Sequence, residues 1–414
     1  MTGRIARLTS LFVVCAAGLA AAQSLPSEPI AFASGRVTVS GDVSAAFGSE
    51  DPGFFNYTDY DHSTLRLLRV DLTAAAKAGP HFTLLGEIRS EVTVDRAHET
   101  TFEPYAFYLR IRPWTAKDFD IQVGRVPPTF GAFARRTYAN DNPLIGYPLA
   151  YQYLTTLRPD AIPASADELL GKRSTGWLLR YSMGDPSLDH GVPLVSAFSW
   201  DTGVQAHTTV GILSATAAVT TGTVSNPLFT DDNHGRQLAG RAELRPVSGL
   251  IVGTSMARGA FVSQAVSLAV AGDGHDGDFT QTAWGADAEY SRDHYLARFE
   301  SFVSRWTMPV APAPAPLAPL QSPLRALSLS AEGRYKLRPD LYVAARWDHL
   351  GFSDQTGAAG TLPWDAPVTR FEIGAGFSIQ RNLVLKGSWQ HDHRDGGRLQ
   401  QIAHLFAAQL VYWF

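Results

Sequence analysis

The chain has 414 residues, 36 of them Gly and 25 Pro, with one Cys, 18% charged residues and a formal net charge of −4. The negative balance argues against a general nucleic-acid binder, and the lone cysteine excludes a disulfide framework and a cysteine-type zinc site. Beyond residue 22 no apolar run is long enough for a membrane helix, although a chain of this length can bury a core in water, so composition alone does not choose the class.

The first segment reads as a leader. Arg4 and Arg7 precede the apolar run Leu8 to Ala22, and Ala20-Ala21-Ala22 stands before Gln23 as a small-residue cleavage site. Residues 1–22 are therefore expected to be removed as a secretory signal peptide, leaving 23–414 as a single domain. Cys15 falls within the leader, and Phe12-Val13-Val14 ahead of it is a poor match to a lipid-attachment signal.

The remainder alternates with period two. From Phe82, the parity of Leu84, Gly86 and Ile88 is apolar while Glu87, Arg89 and Glu91 occupy the other parity. The same contrast recurs as Tyr105, Phe107 and Leu109 against Arg110 and Arg112. It returns as Trp284, Ala286 and Tyr290 against Asp287 and Glu289, and as Phe371, Ile373 and Phe377 against Arg370 and Glu372. Tyr105, Tyr290, Tyr335, Trp347 and Trp389 mark strand ends. The predicted strands are 36–48, 62–76, 80–94, 103–112, 118–126, 200–210, 212–223, 235–246, 249–258, 280–291, 293–305, 325–337, 340–350, 367–379, 382–393 and 400–414. Strands of about ten residues, apolar on one face and charged on the other, fit an all-β transmembrane antiparallel barrel with lipid outside and water inside. Tight connections such as Arg338-Pro-Asp340 alternate with long ones such as Trp306–Leu324, the asymmetry of short periplasmic turns and longer outer loops.

The last nine residues, Phe406 to Phe414, place Phe406, Ala408, Leu410, Tyr412 and Phe414 on one parity. This ending resembles the C-terminal strand of bacterial outer-membrane β-barrels. Residues 127–199, after the fifth strand, are far longer than any other connection, and such loops are functional or disordered. Sixteen strands with the long loop after the fifth resemble the bacterial porins, and Val123-Gly-Arg-Val-Pro-Pro-Thr-Phe-Gly131 looks like the strand-to-loop junction of their phosphate-selective relatives. The resemblance implies a cell outer membrane location, contact with outer-membrane lipid, a loop 127–199 folded inward as a constriction, passive diffusion of small hydrophilic solutes or ions, and a homotrimer. It implies no nucleic-acid partner and no cofactor.

The candidate pore residues are Arg110, Arg112, Arg135, Arg136, Asp141, Glu87, Glu91 and Tyr147. The four arginines form an expected basic wall; the alternative is that they pair with Glu87, Glu91 and Asp141 and brace the loop. Inward basic and acidic positions are near balance, so no single-sign ring is expected. Asp273 to Asp278 lacks the terminal bidentate acid of a calcium loop, and His391-Asp392-His393 offers two imidazoles on one face, too few for a metal. Phe54, Phe55, Tyr57 and Tyr60, beside Asp51, Asp59 and Asp61, are expected to cap the barrel mouth; the alternative is that they stack on sugars. The competing readings are a sealed or adhesin-like structural barrel and an outer-membrane lipid-modifying enzyme. Against the enzyme, Ser388 is expected to point inward and His404 outward, so they do not converge into a triad.

Overall fold

The computed structural model describes residues 26–58, 62–93, 101–197, 199–271, 279–310 and 315–414. The expected leader, Asp59 to Asp61 and the Asp273–Asp278 loop lie outside them. Among the described residues sixteen antiparallel strands follow one another: β1 Val37–Gly48, β2 Leu67–Ala78, β3 Phe82–Thr93, β4 Thr101–Ile111, β5 Phe119–Val126, β6 Asp201–Val210, β7 Leu213–Thr220 and β8 Gln237–Val247. The second half is β9 Leu250–Ala260, β10 Thr280–Arg292, β11 Tyr295–Trp306, β12 Leu324–Arg338, β13 Leu341–Phe352, β14 Val368–Gln380, β15 Leu383–Arg394 and β16 Ile402–Trp413. Each strand pairs with its chain neighbours, and β16 returns to β1 with Leu410 opposite Ala45, so the sheet closes without an edge. A short stretch, Ile30–Phe32, folds back on the start of β1, an addition the alternation did not signal.

Period-two alternation decides the two faces of the wall. Phe371, Ile373 and Phe377 on β14 are 41–42% exposed, whereas Arg370 and Glu372 on the other parity are fully buried. Apolar side chains therefore form the outer surface and charged ones the interior, the reverse of a water-soluble barrel, which fits a hydrocarbon surrounding. The short turns and both barrel termini lie at one end, where Tyr290, Tyr295 and Tyr335 stand exposed on the outer wall. Tyr295 and Tyr335 are directly opposite in register, ring centroids 4.8 Å apart.

Two local departures have clear causes. Tyr105, expected on the outer face, is buried at 3% exposure because the β3–β4 ladder steps from Glu87–Ala106 to Ile88–Pro104, leaving Tyr105 as the extra residue of a bulge that turns it inward. β7 stops at Thr220 because the chain turns there onto Asp201, whose Oδ1 accepts from the Gly222 amide at 3.0 Å.

Candidate functional site

The lumen begins as rows of charge fixed by register. Glu289 on β10 faces Arg298 on β11, Arg298 faces Glu332 on β12, Glu332 faces Arg346 on β13, and Arg346 faces Glu372 on β14. The row alternates in sign at every step and closes into ion pairs. Arg298 reaches Glu289 at 2.9 Å and Glu332 at 3.1 Å, and Arg346 reaches Glu372 at 2.6 Å and Asp348 at 3.0 Å. A second row above it pairs Arg370 with Asp392 at 2.7 Å. Across the barrel, Asp71 bridges Arg69 at 2.7 Å and Arg89 at 2.6 Å.

Segment 127–199 fastens to these inward-facing groups. Arg69 Nη1 donates to the Thr137 carbonyl and to the Tyr147 hydroxyl, both at 3.0 Å, and Tyr138 donates to Glu87 at 2.7 Å. Glu300 on β11 accepts from the Tyr151 hydroxyl at 2.9 Å and from the Ala132 amide at 2.5 Å. The Gly146 amide donates to Glu372 at 3.1 Å, and buried Lys386 on β15 donates to the Ala139 and Asn142 carbonyls. Beyond the strands, Asp365 accepts from the Thr156 amide at 3.0 Å and the Ser174 amide at 2.8 Å, while burial pushes its carboxyl above the ordinary range. Leu149, Tyr151, Leu157 and Ile162 are fully buried in one cluster with Phe302, Trp306 and Trp364. Glycine is required where the segment leaves the wall: Gly124 has φ +130° and a Cβ there would sit 2.4 Å from the Phe107 carbonyl oxygen.

The expected pore residues are distributed over this frame. Glu87, Glu91 and Tyr147 meet around Arg69 and Arg89. Arg136 pairs with Glu289, and Arg135 donates to the Pro128 carbonyl at 2.8 Å. Arg112 is exposed at the short-turn end, away from Arg135 and Arg136 in the segment, so the four arginines do not make one wall. Asp141 lines a cavity of about 200 Å³ at the short-turn end with Arg334, Lys336, Tyr342 and Lys386. A cavity of about 260 Å³ opens at the long-loop end between His62, Arg89, Glu91, Gln152, His190 and Asn226. The Arg89 guanidinium lies 3.3 Å from the Tyr105 ring centre.

The partners that sequence reasoning missed are Tyr105, hidden by the bulge, Asp392, masked by its two histidine neighbours, and Tyr138 and Asp365, which carry no periodic signal. Phe54, expected at the mouth, stacks on Trp177 at 3.9 Å, and Phe55 is buried under the Arg394 guanidinium at 4.1 Å, so neither offers a free face. His391 and His404 pair on the outer wall with rings 4.7 Å apart, whereas Ser388 faces inward, so the two sides of the wall separate Ser388 from His404. Among the described residues no three His, Cys, Asp or Glu side chains converge as a metal site.

No family model matches the sequence, and no curated protein matches it. Solved structures do share the fold. Salmonella typhi OmpF in complex with daunomycin aligns over 94% of this chain and 100% of its own, with 12% identity and a TM-score of 0.57. A loop L8 deletion mutant of OmpT, an outer membrane protein of Vibrio cholerae, aligns over 91% and 99%, with 11% identity and a TM-score of 0.53. An anion-selective porin from Comamonas acidovorans aligns over 91% and 99%, with 10% identity and a TM-score of 0.52. The chain thus has the fold of the outer-membrane porins, a transmembrane barrel that crosses with every strand.

Proposed function

We propose that the protein, with residues 1–22 removed on export, is a passive-diffusion channel for small hydrophilic solutes and ions, with segment 127–199 as its constriction. The observation that carries this reading is the pair of cavities at opposite ends of the barrel, each lined in part by charged side chains, with the segment fastened between them. Exclusion by size comes from the segment; electrostatic bias comes from whatever charge is left uncompensated. Inward carboxylates such as Asp71, Glu289, Glu332, Glu372 and Asp392 are held in arginine pairs. Among the described residues Arg110, Arg334 and Lys336 have no carboxylate within ion-pair distance, and the Nε atoms of Arg110 and Arg334 lack hydrogen-bond partners. Asp141 in the short-turn cavity is likewise without an ion pair among the described residues, but Arg334, Lys336 and Lys386 outnumber it there, which supports a mild preference for anions. Assembly as a homotrimer is proposed from the likeness to Vibrio cholerae OmpT, solved in a trimer form.

Planar-bilayer recordings with the purified protein test this directly. Stepwise conductance is expected, with a reversal potential in a salt gradient on the anion side; absence of steps removes the channel reading and leaves the fold intact. One observation favours a sealed barrel as a second reading: Arg346, Arg370, Glu372 and Asp392 are at most 1% exposed, so that sector of the lumen excludes solvent.

A further inference from the structure

The outer wall carries one row that breaks the rule of its surroundings. Arg258 on β9 faces Thr282 on β10, Thr282 faces Arg305 on β11, and Arg305 faces Arg325 on β12. All three arginines are exposed on the outward parity. Directly opposed residues stand about 5 Å apart at Cβ, and like charges there are destabilising. Among the described residues none of the three arginines has an ion-pair partner, and the outward parity of these four strands holds no carboxylate. Two guanidinium groups held against each other on a hydrophobic wall call for an anion from outside the chain.

Height on the wall identifies the anion. Tyr295 and Tyr335 mark the interface at the short-turn end. From Tyr295 to Arg305 β11 climbs ten residues; at about 3.3 Å each and a tilt of about 40° the rise is about 25 Å, the height of the apolar band of such barrels. The arginines therefore sit at the opposite hydrocarbon boundary, on the long-loop side. Immediately inside that boundary the next outward row is Met256, Trp284, Val303 and Leu327, in register and 39–51% exposed. Cations above, apolar side chains below and about 14 Å across four strands match a headgroup with its acyl chains.

We propose that Arg258, Arg305 and Arg325 form a binding site for the phosphate groups of a phosphorylated lipid in the outer leaflet, with Met256, Trp284, Val303 and Leu327 receiving its chains. Guanidinium groups bind phosphate through paired N–H donors, and three such contacts in low dielectric make a strong site. The site rests on the transmembrane placement and not on the channel reading, so a sealed barrel would leave it standing.

The test uses the full barrel in neutral detergent, dioleoyl phosphatidic acid as probe, dioleoylglycerol as the uncharged control and native mass spectrometry to count bound lipid. Wild type is expected to retain phosphatidic acid and not dioleoylglycerol. The Arg258→Gln/Arg305→Gln/Arg325→Gln variant is expected to bind it roughly a hundredfold more weakly, with Arg305→Gln and Arg325→Gln each losing part of that. Arg292→Gln, at the opposite end, is expected to bind as wild type. Millimolar inorganic phosphate is expected to leave the lipid in place. Unchanged binding by the triple variant, equal loss in Arg292→Gln, or full displacement by inorganic phosphate each overturns the proposal.

Discussion

Arg346 is the hub of the lumen row, and its removal gives a sharp stability prediction. It is 1% exposed and holds Glu372 at 2.6 Å, Asp348 at 3.0 Å and Glu332 at 3.4 Å. In Arg346→Met, Glu332 keeps Arg298, but Asp348 and Glu372 remain buried beside a thioether with no other arginine in an ion pair. Breaking one partner out of a buried pair costs about 3–5 kcal/mol, because the stranded charge keeps its desolvation penalty. With an unfolding entropy of about 2.1 cal/mol/K per residue, a chain of 414 residues changes by about 0.9 kcal/mol/K, so about 4 kcal/mol lowers Tm by about 5 °C. The assay is the temperature at which the folded, fast-migrating band converts to the unfolded one in detergent gels. Adding Glu372→Gln removes one stranded charge, so the double variant is expected to recover part of the loss, non-additively. Arg245→Met, at a site 58% exposed, is the control and is expected within about 0.5 kcal/mol of wild type. If Arg346→Met melts with wild type, or the double variant is simply additive, the buried row is not holding the wall as argued.

Three other expectations are cheaper to check. Arg110→Glu/Arg334→Glu replaces the uncompensated lumen cations with carboxylates, and the reversal potential is expected to move to the cation side; an unchanged potential would place the selectivity elsewhere. Gly124→Ala is expected to lower Tm by several degrees, since the new Cβ meets the Phe107 carbonyl oxygen at 2.4 Å, and a wild-type melting curve would contradict the backbone assignment. Burial holds Asp51, in the loop after β1, up to about 6. Its folded value lies above the ordinary 3.8, so its stabilising contribution is complete below that ordinary value and is lost as pH rises through about 6. Proteolysis of the 49–66 loop is expected to quicken as pH rises from 3.8 to about 6 in wild type and to level off above that, and Asp51→Asn is expected to flatten that dependence.

The barrel was legible because hydrocarbon and water impose opposite demands on alternate residues, and those demands survive in any one strand such as Phe371 to Phe377. Even β6 and β7, whose alternation is weakest, form within a few residues of their expected bounds. What was not legible was irregular backbone. One extra residue at the β3–β4 bulge reverses Tyr105, and nothing in the period announces a bulge. Segment 127–199 has no period at all, so its anchoring by Tyr138, Tyr151 and Asp365 depends on which side chains a non-repeating chain meets. Asp392 was obscured for a different reason: the residues beside it, His391 and His393, suggested a metal reading, whereas their parity turns them outward and leaves the carboxylate to Arg370.

Charge counts fail for a related reason, and register repairs them. A near-balanced inventory of inward charges says nothing about selectivity until each residue is matched with the one across the ladder. The short turns fix that match: Glu289 and Arg298 stand equally far from the turn joining Arg292 to Tyr295, and so they meet. Continued through Glu332, Arg346 and Glu372, the same matching neutralises the carboxylates of that row in pairs, while Arg334 and Lys336, on the same strand as Glu332, stay outside it. On the outer wall the same ladder sets Arg305 against Arg325, a like pair with no carboxylate to relieve it. Inside, opposition of unlike charges builds the wall. Outside, opposition of like charges is sustained only by a surrounding that brings its own anions, and so the pairing table of a barrel separates the charges that hold it together from those that face a partner.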